Sequence, residues 1–138
     1  MNSRKGFSLT EILTTVVILA VLAGIAIPGF AKAKDKAAAA QAVAYLRSIR
    51  LGEKMYFAKN ATYVDCSTKA LLSSTLGVDV TEENYHFDVT GASSSTFTAR
   101  SRKGVDPTDC SSTNTICLQA DGTWSGNSTY VSFATLNS

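Results

Sequence analysis

Between residues 7 and 27 the chain runs through 21 residues of which 15 are apolar, and Glu11 is the only charge among them. As an α-helix rising 1.5 Å per residue, such a run spans about 31 Å, close to the hydrocarbon thickness of a bilayer. It constrains the fold strongly, because an apolar helix of that length has to be covered by lipid or by protein. The segment before it, Met1-Asn2-Ser3-Arg4-Lys5-Gly6, is short, polar and basic. Its Arg4-Lys5 pair puts the N-terminus on the cytoplasmic side and the rest of the chain outside. A secretory signal peptide also has a charged start and an apolar run, and Ala31-Lys32-Ala33 offers a small-x-small site. The run is longer than the usual apolar region of such a peptide, however, and it contains a carboxylate. A plain membrane anchor gives no reason for that carboxylate either, because ionisation inside a span is costly. Glu11 therefore requires a partner.

Gly6-Phe7-Ser8-Leu9-Thr10-Glu11, followed by an apolar run closing on Ile27-Pro28, resembles the N-terminal signature of type IV pilins and type II secretion pseudopilins. The resemblance implies that a dedicated membrane peptidase cuts between Gly6 and Phe7 on the cytoplasmic side and methylates the new amine of Phe7. Glu11 then stands fifth in the mature chain, where the family has its glutamate, and Pro28 stands where the family has its proline. It also implies a type IV pilin fold and a subunit that polymerises into a filament.

The chemistry of the site can be stated without the family. A free amine at Phe7 and the Glu11 carboxylate are both costly in apolar surroundings unless paired. They lie four residues of axial rise apart on one helix. The amine of an incoming subunit can therefore meet the carboxylate of one already placed, and such a pair would set axial register. Pro28 has no N–H, so the Gly24 carbonyl four residues earlier lacks its helical donor. Glycine at that place adds backbone freedom. A plain membrane-helix kink accounts for both residues, but a segment over residues 20–28 that unwinds on packing, as in pilins resembling this one, is the preferred reading.

From residue 31 to 58 the composition is rich in alanine, lysine and arginine, without proline. At 100° per residue, Ala38, Ala42, Tyr45, Ile49, Gly52 and Tyr56 share one face, with Leu46 beside them. That stripe is expected to pack on a C-terminal head, whereas Ala44, Arg47, Leu51 and Lys54 point away, with Val43 and Met55 at the edges. Residues 32–59 carry seven basic and two acidic side chains, and residues 60–138 carry four basic and eight acidic. A basic stalk beside an acidic head suits neighbouring subunits, and it also suits simple solubility.

Residues 60–138 are rich in serine and threonine, 26 of 79, with short strand-like runs. A helical turn is expected near residues 69–74. Strands are expected over 85–89, 96–100 and 116–119, then from Thr123-Trp124 after an Asp121-Gly122 hairpin signal, with 130–133 as the last pairing segment. The fold class is therefore α+β: a long N-terminal helix, half transmembrane and half amphipathic, packed on an antiparallel sheet of about four strands. Residues 1–6 form a leader, 7–30 the hydrophobic polymerisation helix, 31–59 the amphipathic helix and 60–138 the head. The stretch Met55-Tyr56-Phe57-Ala58-Lys59-Asn60-Ala61-Thr62-Tyr63 resembles the end of the helix in pilins of the PilE-like group.

The three cysteines leave one unpaired within the chain. Cys110 and Cys117 flank a short polar loop and form the preferred pair, with Cys66 free. Pairing of Cys66 with Cys110 or with Cys117 stays open. Sequences resembling the major pseudopilin carry a calcium loop late in the head, and Asp106 with Asp109 is a weak version of one. No metal site or cofactor is expected. The single histidine, His86, sits mid-strand; no phosphate loop or paired C-x-x-C occurs, so no enzyme is expected. Nucleic acid is not expected as a partner of the acidic head, where Arg100-Ser101-Arg102-Lys103 is the one small basic run.

The expected function is a structural subunit of a type IV pilus, serving adhesion, twitching motility or DNA uptake. A minor pilin acting as a binding module and a type II secretion pseudopilin are the alternatives. The expected partners are other copies of the chain, the prepilin peptidase and methyltransferase, the inner-membrane assembly machinery, and the membrane before assembly. The chain would begin as a single-pass inner-membrane precursor and end in an extracellular pilus. Removing residues 1–6 takes away two of the 13 basic residues and leaves 11 against 11 acidic, so the formal +2 belongs to the leader. Intact-mass and N-terminal sequencing of the chain from its native host should find Phe7 first and bearing one methyl group; an unprocessed Met1 or a start near Lys34 would contradict this.

Overall fold

A computed structural model of the 138-residue chain describes residues 6–104, 110, 111 and 114–126. Helix α1 spans Leu9–Asn60 and α2 spans Lys69–Leu76. They are followed by β1 (Tyr85–Thr90), β2 (Thr98–Lys103), β3 (Thr115–Gln119) and β4 (Trp124–Ser125). Two compact units are divided after Asp35, and α1 contributes residues to both. The architecture is the α+β one, a long helix packed on a four-stranded antiparallel sheet of order β1-β2-β3-β4. The pairing segment expected over residues 130–133 lies outside the described residues.

The Ser8 carbonyl accepts the N–H groups of Glu11 and Ile12 (3.1 and 3.2 Å) and starts α1. Glu11 in the first turn and Lys59 in the last match the sign of the helix dipole at each end. The helix backbone continues without a break through Gly24 and Pro28. At the far end Asn60 Nδ2 donates to Tyr56 O (3.0 Å). Ala61, with φ of 56°, turns the chain left-handed and donates its N–H to Phe57 O (2.8 Å). Helix α2 is capped by the Thr68 hydroxyl, which accepts Leu71 N–H, and by Gly77 in a left-handed conformation.

Within the second unit α1 buries Ala38, Ala39, Ala42, Val43, Leu46, Ile49 and Glu53. The sheet meets it with Tyr85, Phe87, Val89, Ala99, Ile116 and Leu118, and Phe97 and Leu72 complete the core. The buried arc is wider than the single stripe expected from sequence. Val43, expected at an edge, is buried, whereas Tyr45 and Tyr56 are only half-buried. A twisted sheet flanked by α2 covers two neighbouring rows of helix positions rather than one. Gly52 lets the end of α2 come close to α1: a Cβ there would lie 3.0 Å from Val78 Cγ2 and 3.1 Å from Leu76 Cβ.

Strand β2 begins two residues later than expected. Thr96 stays in the turn, where its carbonyl accepts Ser93 N–H (2.9 Å) and its own N–H donates to Ser93 Oγ (3.2 Å). This lets Phe97 drop into the core against Tyr63, ring centroids 4.7 Å apart. The Asp121-Gly122 turn forms between β3 and β4. Asp121 accepts the Thr123 N–H (2.7 Å) and hydroxyl (2.8 Å), which hold its carboxyl below the usual range. Arg50 on α1 donates from Nε to Ala120 O (3.2 Å), and the Arg47 guanidinium lies over the Trp124 ring at 5.7 Å. Arg47, expected to point away from the head, thus joins Arg50 in anchoring the hairpin.

Leu46 is fully buried between helix and sheet. Leu46→Ala should cost about 2–5 kcal/mol, read as a lower denaturant midpoint at unchanged slope.

Candidate functional site

Between Leu9 and Phe30 the N-terminal unit presents a mostly apolar surface. Phe7 is 78% exposed, Leu9 82% and Phe30 73%, and Leu13, Val16, Leu19, Leu22 and Ile25 are exposed between them. Thr14 donates its hydroxyl to Thr10 O and Thr15 to Ile12 O, both at 2.8 Å, so these polar side chains are satisfied inside the helix. This is the arrangement that lets a helix enter hydrocarbon, where backbone and hydroxyl groups have no water to bond. Glu11 is exposed in the first turn and is the one charged side chain of this apolar stretch. The helix is long and apolar enough to cross a membrane, and its most apolar window is unburied. Gly6 and Gly24 have no atom within 4 Å of where a Cβ would sit, so both stand open to a neighbour.

In the second unit Cys110 and Cys117 are joined by a disulfide with Cα atoms 5.9 Å apart, and Cys66 is a free, buried thiol. Cys117 lies opposite Arg100 on the sheet face away from α1, and Arg100 in turn lies opposite Asp88. The Arg100 guanidinium forms a two-pronged ion pair with the Asp88 carboxylate, one arm being Nε to Oδ1 at 2.9 Å. This corrects the reading of residues 100–103 as a basic patch. Strand alternation sends Ser101 into the core, and Asp88 neutralises Arg100, so the run is not a continuous cationic surface.

His86 lies on β1 with Nδ1 4.0 Å from Glu82 Oε1. It lines an open cleft of about 370 Å³ with Ser67, Thr68, Lys69, Glu82 and Asp88, whose charges are mixed. Among the described residues no three His, Cys, Asp or Glu side chains converge as metal ligands. Asp106 and Asp109 lie outside the described residues. Glu53, read from sequence as one of the stalk's charges, is instead fully buried. Its spacing was the available signal, since it follows Leu46 and Ile49 at seven and four residues on the packed face. Burial pushes the Cys66 thiol up to about 11, with Glu53 and Asp65 adding to the shift.

Residues 1–27 match a family model described as the prokaryotic N-terminal methylation motif. Over 97 residues, 70% of this chain and 72% of the relative, the sequence is 34% identical to the type IV wide pilus major component PilA4 of Thermus thermophilus. Over 61 residues it is 33% identical to the type IV major pilin protein PilA of Myxococcus xanthus, covering 44% of this chain and 28% of that one. A methylation-type N-terminus, an exposed apolar helix and an α+β head define a filament-forming class of subunit. The chain belongs to the type IV pilin family.

Thiol chemistry provides a check on the head. The native protein should resist alkylation and release one reactive thiol per chain on unfolding without reductant, and that thiol should map to Cys66. Reducing the Cys110–Cys117 bridge should cost roughly 2–3 kcal/mol in a short-loop entropy estimate.

Proposed function

We propose that this chain is a major structural subunit of a type IV pilus. The observation that carries the proposal is the 34% identity to a wide-pilus major component over 72% of that protein's length. The exposed apolar surface of the N-terminal unit supports it, because such a surface needs lipid before assembly and other subunits afterwards.

In this reading a prepilin peptidase removes residues 1–6 and Phe7 becomes the methylated N-terminus. The subunit waits in the inner membrane, with its head outside, until the assembly machinery extracts it into the filament. The Phe7 amine of each incoming copy meets the Glu11 carboxylate of a neighbour, and the pair fixes axial register while the apolar side chains supply cohesion. Gly24 and Pro28 give the helix the place at which it lengthens or bends on packing. The role of the chain is structural, and the filament mediates adhesion, motility or DNA uptake through whatever its heads and machinery engage.

Purified filaments decide the matter. This chain should be their most abundant protein, and Glu11→Ala should leave membrane levels of the precursor unchanged while filament yield falls at least about tenfold, equivalent to roughly 1.4 kcal/mol. Trace abundance in wild-type filaments, or a normal yield from the variant, would overturn the proposal.

A further inference from the structure

The link between α1 and α2 contains a short strip in which consecutive residues bond in different directions. Tyr63 donates its N–H to Ser93 O (3.0 Å), and Asp65 Oδ1 accepts Ala92 N–H (2.8 Å). Cys66 pairs with Val89 of β1 in both directions, at 3.1 and 2.8 Å. These bonds fasten the strip to the sheet and to the turn after β1. Val64 instead donates its N–H to Glu53 Oε2 on α1 (3.2 Å). Glu53 is fully buried, and its Oε1 has no hydrogen-bond partner.

We propose that Glu53 is a proton-operated latch for residues 63–66: neutral, it tolerates the closed contact with Val64; ionised, it is a buried anion without a counter-ion, and the strip opens to let water reach it even though the single Val64 N–H favours the anion.

The surroundings favour this behaviour. From the strip, Asp65 and Cys66 are the titratable groups near enough to act on the carboxyl; Asp65 is exposed and accepts Ala92 N–H. On α1, Arg50 is turned to Ala120 O and Lys54 is exposed. Neither α2 nor the sheet brings a cation to Glu53 among the described residues. An ionised carboxylate there has one hydrogen bond, no counter-ion and a like charge nearby, which is the expensive state of a buried acid. Burial pushes the Glu53 carboxyl up to about 7; the Val64 N–H opposes the shift and Asp65 adds to it. The folded chain therefore binds this proton more tightly than the unfolded chain, whose value is near 4.5. Stability from this site is complete below that value, falls as pH rises towards 7 and is constant above it. The latch thus closes in acid and loosens across neutrality, in the opposite sense to a carboxylate held by a salt bridge.

The latch does not depend on the filament reading, and it is tested on the full chain in detergent micelles. Amide hydrogen exchange, corrected for the intrinsic rate, should show Val64 protection falling at least about tenfold between pH 5 and pH 9. Protection of Ala99 in β2 should change less. Glu53→Gln keeps an acceptor and removes the charge, so it should abolish the pH dependence at Val64. If that variant does not fold, the ¹³C shift of the Glu53 carboxyl in the wild type still decides, and it should titrate near 7. Val64 protection independent of pH, a Gln variant that keeps the dependence, or a carboxyl midpoint near 4.5 would each overturn the proposal.

Discussion

Along α1 the removal of apolar surface from water is achieved in two unlike ways. From Ala38 to Ile49 the helix finds its cover inside the chain, on the inner face of the sheet, and Phe97, Leu72 and Tyr85 close the remaining gaps. From Leu9 to Phe30 the described side chains are exposed. A chain built this way is folded at one end and incomplete at the other, because an apolar helix surface in water carries a free-energy penalty proportional to its area. Membrane residence and polymerisation are the two environments that complete it, and membership of the pilin family connects them.

The polar groups follow from that division. In the N-terminal unit the Thr14 and Thr15 hydroxyls bond within the helix, and Glu11 is the one charged side chain of the apolar stretch. In the head the demands are met locally. Asp88 and Arg100 satisfy each other across β1 and β2. Arg47 and Arg50 use their cationic heads on the β3–β4 hairpin, through a ring face and a carbonyl. These two arginines show why helix charge need not mean solvent: a long side chain packs its stem on the core and carries its head to a polar group at the rim. Among the described residues Glu53 and Thr115 are the exceptions, each buried with one side-chain oxygen unpartnered.

Much of the organisation was legible in the chain. The helix over residues 31–58, the Asp121-Gly122 turn, the strand containing His86 and the α+β class all follow from period, composition and turn chemistry, which act over a few residues. The pairing of Cys110 with Cys117 was one of three arrangements that composition allows, and the structure closes that one. The start of β2 was misplaced because Thr96 and Phe97 look like strand residues. A serine hydroxyl in the preceding turn claims the Thr96 N–H, and a hydroxyl that competes for backbone groups is invisible to alternation.

Sequence by itself determined that this chain carries a membrane-grade helix with one carboxylate and a processing signature, since hydrophobicity, charge and local motif belong to neighbouring residues. It also determined that a polar α+β head follows. Only the tertiary structure decided how wide the covered arc of the amphipathic helix is, that Val43 and Glu53 lie within it, and that residues 100–103 are split between two faces with Arg100 neutralised by Asp88. Those outcomes depend on groups brought together from distant parts of the chain: the width of a sheet, a partner strand and the return of residues 63–66 to α1. Burial is set by what packs against a position, and the residues that pack there are not its neighbours in sequence.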